Sequence, residues 1–303
     1  MTVALDVLLP HHRDPEGLAR SLASVAAQTW AGPVRAVVLD DGSPPADLAR
    51  VEALAERVRA EGRLGLLLLR NPVNEGRPRS RNRLLDAAEA PRLAWLDAGD
   101  EWYPDKIARQ SARLEELLAQ GRDPARTWIT CGYDMAQGAR VQACRQEVGG
   151  DQHRALLLGR SLRAYLWTIL APREAFRLAG RFDERLTRLQ DLDLFLSFVR
   201  AGGRIEAPED HRPLCRYAKS HRGRSAEEIR ACQRIVLARH AADAADLLPE
   251  LDYRADRLAA RVARANGRRL AAARYLAGAA LRHPRLASRA ALARLGLRPE
   301  PAP

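Results

Sequence analysis

PRLAWLDAGDEWYPDKI, residues 91–107, sets an apolar run, Leu93-Ala94-Trp95-Leu96, directly against Asp97, Asp100 and Glu101. A short apolar run ending so abruptly reads as a buried strand. Three carboxylates within five residues repel one another, and that crowding asks for a cation. The segment 104–119 then reads as a helix, with Pro104 in its first turn.

Upstream, strand-like runs at 3–9, 34–39, 64–69 and 92–96 alternate with helix-like runs at 16–28, 46–61 and 78–89. This alternation predicts an α/β fold, a Rossmann-like, mostly parallel sheet flanked by helices. Such sheets bind ligands at the carboxyl ends of their strands. Asp40-Asp41 and the 97–101 acids both fall there. Downstream, 126–171 is mixed, with short strand-like pieces. Helix signals return at 172–179 and 189–201, and His211 to Tyr217 is strand-like. From 226 onward Ala, Arg and Leu recur at helical spacing, and Pro249 and Pro284 divide this stretch into about three helices.

Of the 303 residues, 47% are apolar, enough for an ordinary core. The densest apolar run, Leu64 to Leu69, is strand-sized and far short of the ~20 residues of a membrane span. The opening VALDVLL does not resemble a signal peptide. The four cysteines, Cys131, Cys144, Cys215 and Cys232, have no CxxC spacing, so a disulfide or zinc framework is not expected and a reducing cytoplasm fits. Net charge is +12, and residues 251–303 carry +9 of it, as 12 Arg against Asp252, Asp256 and Glu300. That basic end reads either as a solvated face or as a surface for anionic lipid or another polyanion. The two lysines, Lys106 and Lys219, against many arginines point to genome composition more than to function.

Four motifs carry chemistry. VVLDDGSPP, Val37 to Pro45, ends a strand in two aspartates; a helix cap is the alternative reading, but a cap needs one such residue. NPVNEGRPRSRNRLLDAA, Asn71 to Ala88, places Asn74, Gly76, Arg81 and Asn82 around a helix start, a setting suited to phosphate oxygens. The acid block at 97–101 offers the oxygen ligands that Mg²⁺ and Mn²⁺ prefer. GRFDERLTRLQDLDLFLSFVRAGG, Gly180 to Gly203, opens a helix with Asp191 and Asp193; acids there are also favoured by the helix dipole alone.

In order and spacing, these motifs over residues 3–225 resemble the family 2 inverting glycosyltransferases of the GT-A fold. The match runs through Asp40-Asp41-Gly42-Ser43, Asn74-Glu75-Gly76 with Ser80-Arg81-Asn82, Leu96 to Ile107, Gly180 to Glu184 and Gln190 to Leu194. The resemblance implies a GT-A domain over 1–225, with a nucleotide-sugar half over about 1–105 and an acceptor half over about 106–225. A basic helical region over 226–303 follows. The donor would be a nucleotide-diphosphate sugar, the acceptor a saccharide or lipid-linked hydroxyl, and no nucleic acid is expected. Pro10, His11, Arg13, Asp40 and Asp41 would contact the nucleoside, Arg81 the diphosphate and Asp97 the ribose or sugar. Asp100, Asp97 and His221 would hold Mn²⁺ or Mg²⁺, and Asp191 would be the catalytic base. The expected setting is cytoplasmic, with peripheral contact at the inner face of the membrane through the basic end.

Two departures stand out. The family's DxD reads Asp97-Ala98-Gly99 here, with Asp100 retained. The family's Glu-Asp reads Gln190-Asp191, and loss of the like charge should lower the Asp191 pKa. The QxxRW signature of processive synthases is absent: Gln233-Arg234-Ile235-Val236 has no Trp. The expectation is a non-processive glycosyltransferase acting in cell-surface polysaccharide or glycolipid synthesis. A catalytically weak nucleotide-sugar-binding protein is the alternative, suggested by Gly99 and Gln190. A nucleotidyltransferase would need a Gly-rich basic loop after the first strand, and PHHRDPEG lacks it.

Overall fold

Strands β1 (Leu5–His11), β2 (Val34–Asp41), β3 (Gly65–Asn71) and β4 (Arg92–Trp95) lie parallel in the order β4-β1-β2-β3. The structure, a computed structural model, describes residues 3–138, 140–218 and 225–294. Leu5, Val7, Leu8 and Leu9 of β1 are fully buried. Such continuous burial is what a parallel strand covered on both faces requires. Helices α1 (Pro15–Ala26), α2 (Pro45–Glu61) and α3 (Arg77–Ala87) make the crossovers. Asp14 caps α1 by accepting from the Gly17 amide at 2.9 Å, Pro15 opens it, and Leu18, Leu22 and Val25 form its buried stripe.

Asp6 is a buried acid inside β1. Its carboxylate takes both Nε and Nη2 of Arg35 on β2, at 2.7 and 2.9 Å, and the amides of Glu89 and Ala90, at 2.8 and 2.9 Å. It ties β1, β2 and the end of the α3 crossover together.

After β4 the acid block runs into a two-residue strand, β5 (Glu101–Trp102), and then α4 (Lys106–Ala119). The mixed region resolves into β6 (Thr127–Ile129), β7 (Gly132–Gln137), β8 (Arg140–Cys144), α5 (Gln152–Leu158) and β9 (Leu170–Pro172). Then come α6 (Arg173–Ala179), α7 (Gln190–Arg200), β10 (Arg204–Glu206) and β11 (Pro213–Ala218). The main sheet has seven strands, ordered β10-β6-β9-β4-β1-β2-β3, with β9 antiparallel to its neighbours. A second sheet is ordered β5-β11-β7-β8. Helix α7 buries Leu194, Phe195 and Phe198; Trp128 of β6 stacks on Phe198 at 4.0 Å and meets Phe195 edge-on at 5.1 Å. Trp167 is buried in a stack with Tyr165 and Tyr217.

The chain forms two compact units, residues 1–220 and 221–303. In the second, the described residues form α8 (Ala226–His240), α9 (Leu248–Ala265), α10 (Arg269–Arg282) and α11 (Pro284–Arg294). Pro249 and Pro284 sit in the first turns of α9 and α11, as the sequence indicates. A further break falls at Gly267, φ +75°, where a left-handed backbone separates α9 from α10. Arg230 and Arg282 both pair with Asp252 and Asp256 of α9, and His283 adds a contact to Asp252.

Candidate active site

The carboxyl ends of β2, β1 and β4 are neighbours, and they bring Pro10, His11, Asp40, Asp41 and Asp97 to one edge. A cleft of about 340 Å³ opens there, lined by Pro10, His11, His12, Asp14, Asp41, Gly76, Arg77, Asp97 and others. A larger cavity of about 460 Å³, beside α3 and α6, is lined by none of the residues to which the sequence analysis gives a catalytic, nucleotide-sugar or metal role.

Behind the cleft the side chains are locked. The Asp14 amide donates to His11 Nε2 at 3.1 Å, so His11 Nδ1 carries the proton and donates to Asp40 Oδ1 at 2.8 Å. Burial pushes the Asp40 carboxyl up, but the bonds from His11 and Ser43 outweigh it and hold the group below its ordinary range. The sequence reading gives Asp40 to the nucleoside; in the structure it is 1% exposed, does not line the cleft and is held by His11 and Ser43. Asp41 is equally committed. Its Oδ1 accepts from Asn71 Nδ2 at 2.7 Å and the Glu75 amide at 2.8 Å, and its Oδ2 from the Gly76 amide at 2.9 Å. These bonds fix the loop that launches α3. Directly after the pair, Gly42 sits at φ +64°, and a Cβ there would meet the Val73 carbonyl carbon at 2.2 Å. Arg13 is exposed and does not line the cleft; its amide donates to Ser43 Oγ at 2.9 Å.

Arg81 departs most from its expected place. It is 1% exposed, and its guanidinium does not line the cleft. Nη2 donates to Asp97 Oδ1 at 3.0 Å and Nη1 donates to Asp191 Oδ1. The reciprocal bonds between Asn82 and the Phe182 backbone, 3.0 and 2.9 Å, fasten α3 to the segment that leads into α7. Leu189, at φ +61°, then turns the chain so that Asp191 lies in the first turn of α7. Burial raises the Asp191 carboxyl, Arg81 opposes this, and the charge of Asp97 raises it further; the net direction is upward. The lowering expected from Gln190 is overridden, first by burial and then by the like charge that Asp97 supplies through space.

The cation that does face the cleft is Arg77. It is exposed, heads α3 and forms no hydrogen bond or ion pair among the described residues. Its signal was in the sequence: Pro78 marks a first helical turn, which puts residue 77 at the strand-end face. His12 also lines the cleft, with Nδ1 donating to the Asp41 carbonyl at 2.9 Å.

The sequence profile described as "Glycosyl transferase family 2" matches residues 6–147. An N-acetylglucosaminyltransferase of Bradyrhizobium elkanii is 46% identical over 137 residues, which span 42% of this chain and 72% of that protein. The chain belongs to glycosyltransferase family 2. The amylovoran biosynthesis glycosyltransferase AmsB of Erwinia amylovora is 26% identical over 238 residues, 74% of each chain. Among solved structures, S. aureus TarS superimposes with a TM-score of 0.60 at 17% identity, over 79% of this chain and 40% of that one. Its 1–349 segment in complex with UDP-GlcNAc gives 0.55 at 19% identity, over 93% of this chain and 72% of that one. The likeness to TarS establishes the GT-A fold of this family 2 chain, which spans well under half of full-length TarS.

Family 2 enzymes of this fold commonly use a divalent cation, and the residues present fit one poorly. Mg²⁺ and Mn²⁺ need open carboxylate oxygens beside the substrate phosphates. Asp100, expected as a direct ligand, is 5% exposed and does not line the cleft; its charge acts on the buried thiol of Cys215. Asp97 is paired with Arg81, Asp41 is saturated by amides, and residue 99 has no side chain. Among the described residues no three His, Cys, Asp or Glu side chains group as a metal site. His221 lies outside the described residues.

Proposed function

We propose that this family 2 chain is a non-processive, inverting glycosyltransferase that moves a sugar from a nucleoside-diphosphate donor to a hydroxyl of a saccharide or lipid-linked acceptor, in making cell-surface polysaccharide or glycolipid. The observation that carries this reading is the Arg81 bridge: it joins Asp191 to Asp97, a residue lining the strand-end cleft. Asp191, the base in this reading, is thus one side chain away from a residue that lines a cavity of ligand size. In the reaction, the acceptor hydroxyl gives its proton to Asp191 while its oxygen attacks the anomeric carbon. The bond from that carbon to the diphosphate oxygen breaks, and its electron pair leaves with the nucleoside diphosphate. Attack opposite the leaving group inverts the configuration. Arg81 keeps Asp191 oriented and balances its charge.

TarS was solved in complex with UDP-GlcNAc, and the B. elkanii relative is an N-acetylglucosaminyltransferase, so UDP-GlcNAc is the first donor to try. Gly99 and Gln190 favour one second reading, a protein that binds a nucleotide sugar without transferring it. A donor-only assay separates the two, with water as acceptor. Enzymatic release of UDP with the β-anomer of the free sugar appearing first, followed by NMR, supports the enzyme. Binding without release supports the second reading, and the α-anomer first excludes inversion.

No helix among the described residues is long and apolar enough to cross a membrane. We assign the basic C-terminal helices to peripheral contact with an anionic membrane that carries the acceptor. What supports this is α10, where Leu270 and Leu281 are 80% and 83% exposed on the helix that also carries Arg269 and Arg274.

A further inference from the structure

Resting on the donor reading above, we infer that this chain binds the donor diphosphate without a divalent cation, with Arg77 in the cation's place. The acids that line the cleft are already engaged in hydrogen bonds or ion pairs within the fold. Asp41 accepts three hydrogen bonds from Asn71, Glu75 and Gly76. Asp97 and Asp191 share the buried guanidinium of Arg81. Asp14 caps α1, and its Oδ2 lies 3.5 Å from where a Cβ of residue 99 would stand. Asp14 lines the cleft, so an acid at residue 99 would stand beside it. Glycine at φ +100° leaves that position without a side chain. Asp100 is buried and does not line the cleft.

A cation chelated here would have to draw on Asp97, whose charge is already met by Arg81. Doing so would strip Arg81 of a partner while keeping it buried, at considerable cost. A diphosphate has the opposite need, for positive charge and donors. Arg77 provides these without giving up any contact. It stands at the N-terminal end of α3, where the helix dipole adds to its charge. It already acts electrostatically on Asp191, which places its charge near the reacting end of the cleft. Neutralisation of the leaving diphosphate is then a permanent property of the fold and does not depend on the metal supply.

The test is isothermal titration of UDP, GDP and dTDP into the full chain, in EDTA and in Mn²⁺, for wild type and Arg77→Gln. Arg77 is exposed and unpaired, so this variant should fold; its melting curve serves as the check. The expected result is binding of at least one nucleotide whose Kd in EDTA and in Mn²⁺ agrees within about twofold, weakened about tenfold or more in Arg77→Gln, and weakened in wild type by added salt. Binding that requires Mn²⁺ overturns the inference and leaves the donor reading standing. Wild-type affinity for Arg77→Gln in EDTA also overturns it. Failure of all three nucleotides to bind under either condition removes the donor reading, and the inference with it.

Discussion

Arg81 on α3 donates to Asp191 at the head of α7, across 110 residues of sequence. The same guanidinium reaches Asp97 at 3.0 Å, so one buried cation holds two carboxylates that would otherwise repel each other. Replacing Arg81 by Gln leaves that pair uncompensated. The expected cost in stability is about 3 kcal/mol or less, since Asp97 keeps some contact with water. The Asp191 carboxyl, already raised by burial and by Asp97, loses its counter-charge and rises further. The acid limb of kcat against pH should therefore move to higher pH in Arg81→Gln. An unmoved limb would show that Arg81 only holds the fold together.

Asp191→Asn should lower transfer by about 10²–10⁴-fold, the usual worth of a general base, while UDP affinity by calorimetry stays near wild type. In wild type the base works only when ionised. Because its carboxyl is raised, kcat should climb with pH through a limb above the ordinary carboxylate range. Near-wild-type transfer by Asp191→Asn would reduce Asp191 to a first-turn acid favoured by the α7 dipole.

The alternating half of the fold was legible because its apolar runs match their elements: 34–39 lies within Val34–Asp41, and 64–69 overlaps Gly65–Asn71. The alternation put Asp97 at the strand edge, and the family's motifs singled out Asp191 at the opening of a helix. Between 126 and 171 the strands β6 and β9 are three residues each, too short for any period to emerge. Side-chain direction was not legible either. A strand end says that acids emerge there, but not that Asp40 turns to His11, that Asp100 is buried off the cleft, or that Arg81 is spent on two carboxylates while Arg77 faces the cleft. Those choices are set by hydrogen bonds between residues far apart in sequence. The break at Gly267 was missed because only the prolines were read as helix ends.

Gly42→Ala should be among the most damaging small substitutions. The backbone is left-handed there, and the new Cβ would lie 2.2 Å from a main-chain carbon of Val73 that cannot move alone. Strain of about 1–3 kcal/mol from the backbone adds to the clash. The melting temperature should fall by several degrees, and nucleotide affinity should fall with it, since Asp41 next door holds the α3 loop. A Gly62→Ala control, at φ +67° but with open space around its Cβ, should cost less.

The basic C-terminal unit should float with anionic liposomes at low salt and stay behind with neutral ones. Raising the ionic strength should release it. The double variant Leu270→Ser, Leu281→Ser should weaken flotation, because both leucines are exposed on α10. Equal recovery on neutral and anionic vesicles, or none on either, removes electrostatic membrane contact.

Asp6 gives a stability test that does not depend on the chemistry. Burial raises its carboxyl, but Arg35 and the amides of Ala90 and Glu89 outweigh this, so the folded-state pKa lies below the unfolded value of 3.8. A group lowered on folding stabilises the protein above its unfolded pKa, and that contribution is lost as pH falls through the folded value. Asp6→Ala leaves Arg35 and two amides without their partner inside the sheet, and should cost about 3–5 kcal/mol near neutral pH. Wild type should lose stability steeply below about pH 4, and the gap between wild type and Asp6→Ala should narrow over that range. Urea melts at a series of pH values read both quantities. A gap that holds constant down to the acid would mean that Asp6 acts through packing alone, and that the Arg35 pair adds nothing that depends on its charge.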